Sequence, residues 1–181
     1  VGAYTAYANN GMRADPVYVT SICDANGNVI SEFNTKHTEV ISEKAYAKIL
    51  SMLLNVVDSG TGNRVRRAPY NITAQMGGKT GTTNYNADGW FMGFTPELVS
   101  GVWVGGEERY IHFNNMANGQ GAAMALPIYG LYMSKVYADP SLPYSQNTQF
   151  EVDFSGVCDK EFYDAVEETP EVEESLEGVF D

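Results

Sequence analysis

Lys79, Thr80, Gly81 and Thr82 stand in an unbroken run, and their types suit the holding of a carboxylate beside an extended peptide. Side chains alternate along a strand, so Lys79 and Gly81 would share one face and Thr80 and Thr82 the other. An ammonium and two hydroxyls supply the donors that a carboxylate needs. Gly81 removes bulk, so a second backbone can come close. At a sheet edge, the unpaired N–H and C=O groups of such a run can bind an incoming peptide as one more strand. One of those N–H groups can also serve a developing oxyanion. Thr83 prolongs the polar run. Gly78-Lys79-Thr80 matches the end of a phosphate-binding loop as well, G-x-x-x-x-G-K-[ST]. That reading fails twice. Thr73 stands where the first glycine belongs, and the aromatic stretch Trp90-Phe91-Met92-Gly93-Phe94 follows where a helix should begin.

The elements that must position this run can be read outward from it. Strands are expected over about 72–83, 89–95 and 98–105, with Pro96 at the second position of a tight turn, making an antiparallel meander. Trp90, Phe91 and Trp103 are expected in the sheet core rather than against a substrate. Upstream, residues 1–10 read as the end of a helix stopped by Asn10-Gly11. Residues 17–23 and 28–33 read as a hairpin around Asp24-Ala25-Asn26-Gly27, with Gly27 at positive φ. Ser42 suits the cap of a helix whose Tyr46, Ile49, Leu50, Leu53 and Val57 fall on one stripe, and Gly60-Thr61-Gly62 ends it. Arg64, Arg66 and Arg67 read as solvated loop charges, a grip on an anionic substrate being the rarer alternative. Residues 106–118 read as a surface loop. Residues 121–138 read as a helix with Ile128, Leu131, Tyr132 and Val136 on one side, kinked or restarted at Pro127. The fold class is α+β, an antiparallel sheet flanked by helices.

Charge divides the 181 residues unevenly. Residues 151–181 hold twelve Asp/Glu against one Lys, so −11 of the total −12, and residues 1–150 hold eleven against ten Lys/Arg, so −1. Residues 1–150 are therefore expected to form the domain, and 151–181 an acidic, disordered tail that Phe150, Phe154, Phe162 and Tyr163 could partly dock. There is no basic patch for nucleic acid. No apolar run approaches the roughly 18 residues of a membrane span. Cys23, Cys158, His37 and His112 lack metal-ligand spacing, so neither a metal site nor a cofactor is expected.

K-T-G is one of three motifs shared by β-lactamases and penicillin-binding proteins, with S-x-x-K and S-D-N. A fixed tripeptide occurs by chance in about two per hundred chains of this size, so its surroundings must decide. They do. Ala3-Tyr4-Thr5-Ala6-Tyr7-Ala8-Asn9-Asn10-Gly11, Ser59-Gly60-Thr61-Gly62, Gly78-Lys79-Thr80-Gly81-Thr82-Thr83, Asp88-Gly89-Trp90-Phe91-Met92-Gly93-Phe94-Thr95-Pro96 and Gly101-Val102-Trp103-Val104-Gly105 follow one another in the order of a family. The chain resembles the C-terminal half of the transpeptidase domain of a class A, bifunctional penicillin-binding protein, over about residues 1–138.

The resemblance implies peptidoglycan cross-linking by serine acyl transfer, with D-Ala-D-Ala stem peptides as substrate and β-lactams as acylating inhibitors. It implies that Lys79 is catalytic, organising protons and attracting the carboxylate, and that the Thr82 N–H completes the oxyanion hole. It implies that Thr80, Gly81, Thr82 and Thr83 bind substrate. It also implies an extracytoplasmic location in a parent protein with an upstream glycosyltransferase domain and transmembrane anchor. The 181 residues contain no Ser-x-x-Lys. Ser145-Gln146-Asn147 has the S-x-N form but follows K-T-G where the family places it before, and Tyr7-Ala8-Asn9 falls at a helix end. Both read as coincidence. The nucleophile is thus expected in a missing N-terminal half that is this chain's partner in the same protein, and the chain alone is expected to be inactive. Two alternatives stay open. One is a β-lactamase or D,D-carboxypeptidase relative, against which residues 90–96 argue. The other is a non-catalytic module that kept the fold and lost the serine.

Overall fold

The computed structural model describes residues 1–155 and 157. Residues 156 and 158–181, with Cys158 and most of the acidic segment, lie outside the described residues. In chain order the elements are α1 (Thr5–Ala8), β1 (Met12–Ala14), β2 (Ser21–Cys23), β3 (Val29–Glu32), β4 (His37–Glu39), α2 (Glu43–Asp58), β5 (Gly77–Thr82), β6 (Asp88–Phe94), β7 (Val99–Gly105), α3 (Met116–Gly119) and α4 (Gly121–Ala138). The expected α+β class holds. Antiparallel sheets β1–β4, β2–β3 and β5–β6–β7 are combined with helices.

The three-stranded sheet is the frame of the molecule. Across it the register places Lys79 beside Met92 and Gly101, Thr80 beside Phe91 and Val102, and Gly81 beside Trp90 and Trp103. The Phe91 face carries one core, in which Phe91, Val57, Ala125, Leu126, Tyr129 and Met133 are all but sealed from solvent. Gly93 makes this packing possible, because a Cβ there would strike the ring of Tyr129. The Phe94 side carries a second core of Tyr46, Leu50, Phe94 and Phe150, flanked by Tyr4 and Tyr7. Helix α2 serves both cores, with Tyr46 and Leu50 in one and Val57 in the other. Ser42 precedes it in an extended conformation with Glu43 in the first turn, where an acid suits the helix dipole. The hairpin β2–β3 closes as expected, with Gly27 at φ 87°.

Four expectations need correction. Residues 72–76 are not part of β5, because their backbone is paired mainly with side chains, and at the Ile72 N–H with the Val65 carbonyl (3.0 Å), rather than with a ladder. The Arg66 guanidinium donates to the carbonyls of Ile72 (3.0 Å) and Ala74 (2.6 Å), and the Thr73 N–H donates to Gln146 Oε1 (2.8 Å). Arg66 also bonds Asp58 at 2.7 Å, so it braces the end of α2 against this segment rather than standing free in a loop. Helix α4 packs through a different side from the one expected. Ala125, Leu126, Tyr129, Gly130 and Met133 are buried, while Ile128, Leu131 and Tyr132 are exposed and only Val136 of the expected set is buried. A helix apolar all round offers more than one stripe, and the sheet selects among them. Pro127 sits inside this single helix without ending it. Of the three aromatics expected in the sheet core, Phe91 is there, but Trp90 and Trp103 are 44% and 47% exposed. Their face is covered only toward the Phe94 end.

The chain continues past residue 150 against this core. Phe150 is buried, and Val152 and Phe154 pack beside it. No helix among the described residues is long and apolar enough to cross a membrane.

Candidate active site

Strand β5 carries Lys79–Thr82 at an edge of the sheet, since β6 is its only strand neighbour among the described residues. Its backbone directions follow from one bond. The Thr83 N–H donates to the Asp88 carbonyl at 3.0 Å, so Thr83 and Asp88 form a hydrogen-bonded pair of the ladder. Antiparallel pairing alternates, so Gly81, Lys79 and Gly77 also turn their amides toward β6. Thr82, Thr80 and Gly78 turn theirs the other way, to the open edge. The Lys79 side chain reaches round to the same edge, where its Nζ donates to the Thr80 carbonyl at 2.9 Å. An ammonium, an outward N–H at Thr82 and an outward carbonyl at Thr80 therefore meet along one line. Lys79 and Thr82 are exposed, and Thr80 and Gly81 half-buried.

Both motif hydroxyls are held from behind. Thr82 Oγ1 accepts the Gly121 N–H, the first of helix α4, at 3.0 Å. Only glycine permits this approach, because a Cβ on Gly121 would strike the backbone oxygens of Gly81 and Trp90. Thr80 Oγ1 lies 2.9 Å from Thr61 Oγ1 in the loop that follows α2. Thr83 is placed otherwise. Its hydroxyl receives the Asp88 N–H at 2.9 Å and gives its own hydrogen to Asp88 Oδ2 at 3.0 Å. Asp88 Oδ1 in turn accepts the Trp103 indole N–H at 3.0 Å. The carboxylate, on β6, thus ties the end of β5 to β7, and Thr83 spends its hydroxyl hydrogen on the turn.

The sequence singles out Lys79, Thr80, Gly81 and Thr82, but it does not reveal Thr61, Asp88 or Gly121 as their supports. Thr61 is visible there as part of a glycine-flanked helix stop and of one family-like stretch, neither of which tells that its hydroxyl meets Thr80. Asp88 and Gly121 open elements whose patterns say nothing of side-chain contact.

Residues 1–116 match the family model for the penicillin-binding protein transpeptidase domain. Penicillin-binding protein 1A of Aquifex aeolicus is 37% identical over 134 residues, which cover 74% of this chain and 18% of that protein. The chain thus spans under a fifth of that relative's length. Among solved structures, penicillin-binding protein 1A from Haemophilus influenzae superimposes with a TM-score of 0.67 at 22% identity, covering 80% of this chain and 26% of that one. The D,D-transpeptidase domain of a peptidoglycan glycosyltransferase from Eggerthella lenta does so with a TM-score of 0.52 at 26% identity, covering 75% and 32%.

Proposed function

The chain belongs to the penicillin-binding protein transpeptidase family, and from that premise we propose that its β5 edge grips the acyl-donor peptide of a D,D-transpeptidase. The observation that carries this reading is the convergence of Lys79 Nζ, the Thr82 N–H and two hydroxyls supported from behind on one open strand edge. A D-Ala-D-Ala peptide laid along that edge would pair with the outward groups of Thr80 and Thr82. Its terminal carboxylate would meet Lys79 and the hydroxyls of Thr80 and Thr82. The scissile carbonyl would point its oxygen at the Thr82 N–H, where negative charge develops during attack. A serine oxygen forms the new ester bond, the peptide C–N bond breaks, and D-Ala departs with the proton that the serine released. An amine of a second stem peptide then takes the acyl group and frees the serine. β-Lactams enter the same acylation through their strained amide.

The serine is outside these 181 residues on this reading, since none of them forms a Ser-x-x-Lys and an activated nucleophile needs an adjacent base. Residues 1–150 would be the substrate-gripping part of the domain, joined outside the cytoplasm to the part that carries the nucleophile.

The test uses the full-length protein. Lys79→Ala is expected to slow acylation by penicillin about 10²–10³-fold while leaving thermal stability unchanged, because Lys79 is exposed. Thr82→Val is expected to cost less, since it keeps the backbone N–H. Second-order acylation rates measure both. A folded Lys79→Ala protein acylating at the wild-type rate would overturn the assignment. The isolated chain is expected to show no covalent penicilloyl band on a denaturing gel.

A further inference from the structure

Thr61 lies outside the Lys-Thr-Gly-Thr run, yet its hydroxyl is 2.9 Å from that of Thr80. We propose that Thr61 is a positioning residue that donates its hydroxyl hydrogen to Thr80 and so directs the Thr80 hydrogen to the substrate carboxylate. This inference rests on the reading that the Lys79–Thr82 edge holds a carboxylate.

Counting hydrogens decides the direction of the bond. A threonine hydroxyl has one hydrogen and two lone pairs. If Thr80 gave its hydrogen to Thr61, it would face a carboxylate with lone pairs alone and repel it. If Thr61 gives, Thr80 keeps its hydrogen for the anion. A bound carboxylate accepts only, so its presence selects the second arrangement. The other motif hydroxyl shows the same design with the direction fixed. Thr82 Oγ1 is held by the Gly121 N–H, which can only donate, so the Thr82 hydrogen remains free. Two hydroxyls on one strand face thus each have a donor behind them, one from the start of α4 and one from the loop after α2. Accepting a hydrogen bond also polarises a hydroxyl and strengthens the bond it gives.

Thr61 is built to hold its place. The loop around it is pinned to the end of α2 by Gly60 N–H to the Asn55 carbonyl (3.0 Å) and Gly62 N–H to the Val56 carbonyl (2.8 Å). Asn63 N–H closes back on the Gly60 carbonyl at 3.1 Å. The rotor of Thr80 therefore meets a neighbour whose backbone is held on both sides.

The experiment compares a penicillin with its carboxyl methyl ester on the full-length protein. The ratio of their acylation rates measures recognition of the carboxylate separately from the chemistry of the amide. Thr61→Val removes the donor while keeping the shape, and is expected to lower the free-acid rate, and hence the ratio, about fivefold. Thr61→Ser restores the hydroxyl and is expected to restore the ratio. A merely structural role for Thr61 would slow both substrates alike and leave the ratio unchanged, and that result would overturn the proposal. So would a Thr61→Ser protein, folded by circular dichroism, that behaves as Thr61→Val. If Thr61→Val does not fold, an undiminished ratio in Thr61→Ala would overturn it equally. A wild-type protein that acylates but does not prefer the free acid would instead sink the underlying carboxylate site, so the two failures are distinguishable.

Discussion

Among single residues, Asp88 concentrates the most consequence. Its carboxylate accepts from Thr83 and Trp103 and its amide donates to Thr83, so one side chain joins the ends of three strands. Asp88→Ala leaves an indole N–H and a hydroxyl without their partner. Bonds to a charged acceptor are worth about 1.5–3 kcal/mol each when buried, and Trp103 is half open to water, so a total loss of about 1–3 kcal/mol is expected. Thermal denaturation would show it. Acylation of the full-length protein should fall as well, because Thr82 is the neighbour of the residue that Asp88 holds. Thr83→Val tests the same bond from its other end and should give part of the same loss. The sequence displays both residues but not their bond, because a turn between two strands does not reveal which side chains fold back across it.

At the scale of elements, the start of α4 against β5 and β6 is the contact most sensitive to size. Gly121→Ala must push the helix from the strand backbones. Overpacking of this kind costs about 1–3 kcal/mol, and it would also withdraw the N–H from Thr82. Equilibrium unfolding of the variant checks the first effect, and the acylation rate of the full-length protein the second. The β2–β3 hairpin invites a different measurement. Its loop is gathered by Asp24, whose carboxylate accepts the side chain and amide of Asn28 and the amide of Asn26. The Asn28 side-chain bond is the main cause holding the Asp24 carboxyl below its ordinary 3.8. A lowered folded value means that the loop's extra stability is present above the unfolded pKa and is lost as pH falls through the folded one. Amide shifts of Asn26 and Asn28 in an acid titration should therefore report a midpoint below 3.8.

Element by element, legibility follows local chemistry. The hairpin, α2 and the three-stranded meander are readable because turns, apolar periodicity and alternation are written in neighbouring residues, although Ser42 makes no side-chain capping bond at the start of α2. The side on which α4 packs is not. Ile128, Leu131 and Tyr132 are as apolar as Leu126, Tyr129 and Met133, so only the partner could choose. Residues 72–76 mislead for a related reason. Ile72, Ala74 and Met76 alternate as a buried strand does, but Arg66 and Gln146 supply the partners that a neighbouring strand would have offered.

For the molecule as a whole, Phe150 links distant parts of the chain. Its ring meets that of Phe94 edge-on, with centroids 5.9 Å apart, and its N–H donates to Gln75 Oε1 at 2.7 Å. Tyr4 and Tyr7 pack against the same Phe94 from the other end of the sequence. Phe150→Ala is expected to cost about 3–5 kcal/mol, read from the urea midpoint with the slope unchanged. Charge alone draws the domain boundary at residue 150, whereas Val152 and Phe154 continue the packing beyond it. An acidic composition describes the sum of a segment's charges and is silent about the two or three apolar residues at its start.

The alternation along β5 has one last consequence. Lys79, Gly81 and Thr83 turn their amides inward, so the outward groups recur only at every second residue, about 7 Å apart. A strand laid on that edge can shift only in steps of that length. On the proposed reading the edge is a ruler with coarse graduations, and Lys79 would mark its zero. A peptide lengthened by a single residue beyond the carboxylate proposed to be recognised would fall between two marks, and either its amides or its charge would go unmet.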